Sequence, residues 1–153
     1  MDEEQGLAEA VGSALSALAS LSPESLAQLE NVYALEVSFE DPFQRVEGIE
    51  AVRAIYAHMF EALEHPQFEI LECVRQDRVA YVRWLFHFAR RGQSMAIKGV
   101  SRLQWDRRDG GVWRIIAHRD DWDAAEQVYE RVPVLGWLIR AIKRRLVTPQ
   151  PAR

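Results

Sequence analysis

His118-Arg119-Asp120 has the residue types and the spacing of a proton-transfer pair. On a strand, positions two apart project side by side, so imidazole and carboxylate are in hydrogen-bond reach of each other. A histidine held by a carboxylate is oriented to move a proton near neutral pH. The plainer reading is a satisfied buried pair that closes a sheet, with Asp120 or Asp121 also capping a helix that follows. Asp41-Pro42 carries two readings as well: a carboxylate placed to shuttle a proton, or an acid that turns the chain before a proline. Ser101, in an alternating apolar stretch, adds a hydroxyl that can assist either acid.

Other chemistries find no support in the residues. The four histidines, at 58, 65, 87 and 118, have no metal-ligand spacing, and no second cysteine accompanies Cys73. Cys73 sits in an alternating run and reads as a packed thiol, not a nucleophile. A glycine-rich phosphate loop, a dinucleotide fingerprint and a serine-nucleophile elbow are all missing, so the chemistry expected is free of metal, nucleotide and other cofactors.

The elements that must position these groups follow from periodicity. The chain has 153 residues, 48% hydrophobic and 27% charged, with a net charge of -4, which suits one soluble, cytoplasmic globular domain and argues against a nucleic-acid binder. An acidic start, Met1-Asp2-Glu3-Glu4, is unlike a signal peptide, and no apolar run has membrane-spanning length. Leu7, Val11, Leu15, Leu18 and Leu21 recur at helical spacing. Ser22-Pro23-Glu24 starts a second helix whose stripe continues through Leu26, Leu29 and Tyr33. Leu35, Val37 and Phe39 then alternate as a strand does, and after Gly48 a third helix presents Ile49, Val52, Tyr56, Met59, Phe60 and Leu63 until His65-Pro66. Strands are predicted over 68–75, 79–90, 94–106 and 112–120, joined by links short enough for antiparallel hairpins. A helix from about Asp121 to Arg131 and another from Pro133 to Leu146 complete an α+β domain, helices on one face of a curved sheet.

This order, with Phe39-Glu40-Asp41-Pro42-Phe43 and Gly48-Ile49-Glu50-Ala51-Val52-Arg53-Ala54-Ile55-Tyr56, resembles the nuclear-transport-factor-two-like superfamily, which includes ketosteroid isomerase and the SnoaL-like polyketide cyclases. The resemblance spans roughly residues 7–131. It implies a cone-shaped barrel of a strongly curved, mainly antiparallel sheet wrapped on the N-terminal helices, with a deep, apolar pocket. It turns Val82, Trp84, Phe86 and Phe88 inward and leaves His87, Arg83 and Leu85 on an outer face through which members of the superfamily dimerise, so a homodimer is expected. Strand parity adds Gly99, Ser101 and Leu103 from one strand and Ile116, His118 and Asp120 from the next. Asp41 matches the general base of ketosteroid isomerase, and His118 and Asp120 match the acid/base pair of the cyclases. At the isomerase's two oxyanion-hole positions stand Ala17 and Ser101, which argues against steroid isomerisation itself.

The implied catalytic set is Asp41, His118 and Asp120, and the implied substrate-binding set is Ser101, Tyr56, Trp84, Phe86, Phe88 and Ile116. Tyr56 either offers a hydroxyl to the cup or is simply packed core. The function expected is cofactor-independent isomerase or cyclase chemistry on a small apolar carbonyl compound. The alternative is a non-catalytic ligand-binding or interaction module.

Residues 132–153 read as a separate segment after a domain of 1–131. They contain Arg140, Lys143, Arg144, Arg145 and Arg153 and no acid. Val134, Leu135, Leu138, Ile139, Ile142 and Leu146 make a wide apolar face over 133–146. Such a helix packs on its own domain or a second copy, closes a pocket as a lid, or lies on an anionic membrane surface or a partner's groove.

Overall fold

The computed structural model describes residues 2–127 together with Ala141 and Arg144, so the expected C-terminal amphipathic helix and tail fall outside the described residues save for those two helical positions. One compact unit ends at Trp122 and a second begins at Asp123.

Helix α1 spans Glu3–Ala19. It starts where Asp2 Oδ1 accepts the Gln5 N–H at 2.7 Å, with Glu3 and Glu4 against the positive end of the helix dipole. Its buried face is Leu7, Val11, Ala14 and Leu18; Leu15, expected on that stripe, is only half-buried. Ser22 opens the next turn as its type predicts. Ser22 and Ser25 exchange side-chain-to-backbone bonds, and Pro23–Asn31 winds as a tight 3-10 segment.

Tyr33 belongs to strand β1, Tyr33–Glu40, and not to the preceding helical stripe. Strand β2, Arg45–Glu47, was not expected, because three residues are too few to show a period. Gly48 follows with φ +93 and donates its N–H to the Val37 carbonyl at 2.8 Å, a backbone conformation that L side chains rarely adopt. Helix α2, Ile49–Ala62, buries Ile49, Val52 and Tyr56.

Four long strands complete the sheet: β3 Glu64–Gln76, β4 Val79–Arg90, β5 Gln93–Arg108 and β6 Val112–Trp122. The β4–β5 link, Arg91-Gly92, has positive φ at both residues, the geometry that suits a two-residue hairpin. Strand β3 starts earlier than the sequence suggested and carries Pro66, which an edge strand tolerates. The strand order is β2-β1-β6-β5-β4-β3, and only the β1–β6 pair is parallel. Among the described residues β2 and β3 are the edges of the sheet, and the strongly curved, mainly antiparallel sheet that was expected is present and not closed. Helix α3 is described over Ala124–Gln127; it starts later than the expected position near Asp121, because β6 keeps Asp121 paired to Val100 and runs to Trp122. Among the described residues no helix is long and apolar enough to cross a membrane.

Helices α1 and α2 pack on the sheet's inner face around Val37, Phe39, Val82, Leu103, Trp105 and Ile115. Two ladder irregularities decide what reaches that face. On β6 the pairing passes from Gln104↔Ala117 to Trp105↔Ile115, leaving Ile116 as the extra residue of a bulge. Trp113 and Ile115 point inward before it, His118 after it. On β1 the register shifts between Tyr33 and Ser38, so Leu35 is turned out, 63% exposed, while Tyr33, Val37 and Phe39 are buried.

Candidate functional site

The unbroken β4–β5 ladder sets Val82 opposite Ser101 and Trp84 opposite Gly99. β5 and β6 in turn set Ser101 opposite Asp120 and Leu103 opposite His118. Paired residues share a face of the sheet, so these side chains gather on its inner side. Tyr33 reaches them from β1 and Tyr56 from α2.

Their polar atoms form one continuous chain. Trp84 Nε1–H donates to Ser101 Oγ at 2.8 Å, and the Ser101 hydroxyl donates to Asp120 Oδ1. His118 Nε2 lies 2.7 Å from that same oxygen. Its Nδ1 is 2.8 Å from the Tyr33 hydroxyl, which is 3.2 Å from the Tyr56 hydroxyl. A carboxylate can only accept, so Nε2 carries a hydrogen. Both tyrosines are buried, and burial foremost pushes their hydroxyl pKa values up; the charge of Asp120 adds to the effect on each.

Around this chain lies a cavity of about 20 Å³, lined by Leu18, Tyr56, Phe68, Ile70, Val82, Trp84, Ser101, Leu103, His118 and Asp120. That is room for about one water molecule. The deep pocket expected is largely filled in this conformation, and the reason is aromatic. The Trp84 ring covers Gly99 so closely that a Cβ there would lie 2.4 Å from Trp84 Cη2. Phe68 meets Trp84 edge-on at 5.4 Å and stacks on Phe86 at 4.6 Å, and Phe86 stacks on Phe88 at 5.3 Å.

Of the expected residues, the structure brings together Ser101, His118, Asp120, Tyr56 and Trp84. Asp41 is not among the lining residues. Its Oδ1 accepts the N–H groups of Phe43 and Gln44 at 2.8 and 3.0 Å, holding the turn between β1 and β2, though its charge still contributes to raising Tyr56. Phe86 and Phe88 share the expected face but lie further along β4, outside the lining. Ile116 is a correction: as the extra residue of the bulge it is half-buried and not among the lining residues, whereas Ile115 is fully buried in the core. Asp120 and Asp121 do not cap a helix; the first is held by Ser101 and His118, and the second pairs with Arg119. Cys73 is exposed on the edge strand β3, not packed. His87 is on the outer face as expected, 2.6 Å from Glu69.

The sequence reading missed the roles of Tyr33, Phe68, Ile70 and Leu18. Tyr33 was legible: the alternation Tyr33, Val37, Phe39 begins one step before the stretch taken as strand. Phe68 and Ile70 alternate with Glu69 and Leu71 in the same manner. Among the described residues no three His, Cys, Asp or Glu side chains are grouped to hold a metal ion.

Comparison with known proteins places the fold. An NTF2-like protein of unknown function from Burkholderia pseudomallei superposes with a TM-score of 0.65 at 17% identity, over 80% of this chain and 95% of that one. A provisionally named SnoaL-like polyketide cyclase from Jannaschia gives 0.63 at 16%, over 78% and 86%. An LEH-like epoxide hydrolase of M. tuberculosis gives 0.62 at 14%, over 95% and 96%. At such identities the likeness is one of fold. A search of curated protein sequences finds no match. The model of the SnoaL-like domain matches residues 16–115, from the end of α1 into β6, and stops before His118 and Asp120. The chain belongs to the SnoaL-like domain family.

Proposed function

We propose that this chain is a cofactor-independent proton-transfer enzyme of the isomerase or cyclase kind, acting on a small, mostly apolar molecule. Asp120 is the base, and His118 and Ser101 hold it in place. The observation that supports this reading is the convergence of two hydrogen-bond chains on one carboxylate oxygen beside an apolar cavity. Asp120 Oδ1 takes the hydrogens of Ser101 and His118, which leaves Oδ2 to accept a proton from a bound molecule. That proton makes a carboxylic acid of Asp120 and returns to another atom of the same molecule, so nothing is consumed. Tyr33 orients the imidazole through Nδ1 and is itself bonded to the Tyr56 hydroxyl. Asp41, committed to its turn, has no part in the step.

A second reading draws on the size of the cavity. A space for one water supports a scaffold in which the polar chain only ties α2 to the sheet through Tyr56, and a ligand or partner binds elsewhere. Proton exchange separates the two. Small apolar ketones, hydroxyketones and enols are incubated with the protein in deuterated buffer, and deuterium incorporation at the carbon next to the carbonyl is followed by NMR. Under the enzymatic reading Asp120→Asn lowers the exchange rate by roughly 10²–10⁴-fold, while Asp41→Asn changes it less than about threefold, a difference too small for loss of a general base. Equal losses in the two variants, or none in Asp120→Asn, refute it.

A further inference from the structure

The direction of every hydrogen bond at the Asp120 end follows from the donor inventory. Trp84 Nε1–H can only donate, and it donates to Ser101 Oγ. Ser101 therefore directs its single hydrogen to Asp120. His118 Nε2–H goes to the same carboxylate oxygen. With the imidazole hydrogen on Nε2, Tyr33 donates to His118 Nδ1 and Tyr56 donates to Tyr33, so the hydroxyl hydrogen of Tyr56, which also lines the cavity, is committed as well. No unused N–H or O–H remains at the Asp120 end. What faces a ligand there is the second carboxylate oxygen of Asp120 and a lone pair of Ser101, both acceptors. No lysine or arginine is among the residues lining the cavity.

We propose that the cup takes a molecule whose polar end is a hydrogen-bond donor, a hydroxyl or more strongly an ammonium, on a compact apolar body. The apolar part meets Leu18, Phe68, Ile70, Val82 and Leu103, and the donor meets Asp120 and Ser101. A carbonyl of the same shape places its lone pairs against theirs, which replaces the carbonyl class suggested by the family resemblance. Entry requires Trp84 or Phe68 to move, since together they fill the space a ligand body needs. The inference rests on reading the cup as the ligand site.

Three ring compounds of nearly one shape provide the test: cyclohexylamine as its ammonium, cyclohexanol and cyclohexanone. Each is titrated into the nitrogen-15-labelled full chain, with the Trp84 indole N–H signal as reporter of the cup. A parallel series uses Trp84→Ala, read at the backbone amides of Ser101 and His118, because that truncation makes room for the ring. The ammonium and the alcohol are expected to bind at least tenfold more tightly than the ketone, roughly the factor a hydrogen bond to a charged group supplies. Asp120→Asn, which introduces an N–H₂ donor, is expected to erase or invert that order. Equal or tighter binding of the ketone to the wild-type protein overturns the inference and leaves the cup standing as a ligand site. No cup-localised binding of any of the three, in wild type or Trp84→Ala, overturns the ligand-site reading and the inference with it.

Discussion

Above about pH 10 the protein loses stability by about 1.4 kcal/mol per pH unit for each of Tyr33 and Tyr56, roughly twice that for the pair. Both hydroxyls are raised above the usual tyrosine value, chiefly by burial. In the unfolded chain they release their protons near pH 10, while the folded chain retains them. The unfolded state then binds fewer protons, so raising the pH favours unfolding. Below the unfolded value both states are protonated, and this contribution to stability is fully present. Urea melts at half-unit steps from pH 8 to 12 measure the slope. Tyr33→Phe removes one titrating group and should make the fall markedly shallower, while lowering stability at pH 8 by about 1–3 kcal/mol through the buried partners it leaves unpaired. A wild-type stability flat to pH 11.5 contradicts the burial of these hydroxyls.

Gly99→Ala is the second large effect. The added methyl would lie 2.4 and 2.6 Å from Trp84 Cη2 and Cζ2, closer than atoms can approach. The Trp84 ring is buried, edge-on to Phe68 and bonded to Ser101, so it has no cheap retreat. Overpacking and the weakened indole bond together cost about 3 kcal/mol, which lowers the melting temperature by roughly 6–12 °C in a chain of this size. Trp84→Leu in the Gly99→Ala background should recover part of the loss, because the clash goes with the ring. A double-mutant cycle measures that coupling. A loss in Gly99→Ala below about 0.5 kcal/mol, within the range of an ordinary surface substitution, would mean that the ring is not confined there.

These two sites also mark where the sequence was readable. Along β4 and β5 the ladder has no break, so simple alternation placed Val82, Trp84, Gly99, Ser101 and Leu103 correctly. Alternation failed where a bulge inserts a residue. Ile115 and Ile116 are chemically identical, and nothing in their order tells which one is fully buried at the bulge. Leu35 was misplaced on β1 for the same reason. His118 and Asp120 were found because both lie beyond the β6 bulge and keep their mutual spacing. Asp41 was legible only as a turn acid or a base, and its two backbone donors settle its local role as the turn. The filled cup was not legible, because cavity volume depends on side-chain rotamers. The cross-strand pairing of the largest side chain with the smallest, Trp84 on Gly99, was the one clue.

The parallel β1–β6 pair sets an order of events during folding. The hairpins of β3 to β6 close from neighbours in the chain, whereas Tyr33 and His118 are 85 positions apart. Joining them carries the entropy of a long loop, and contacts of that kind form slowly. On the ribosome the N-terminal helices emerge early yet cannot finish their core until the last strand is synthesised. The imidazole thus acquires its tyrosine partner late, and a nascent chain stopped before β6 would expose the apolar sides of α1 and α2 to whatever chaperone is nearby.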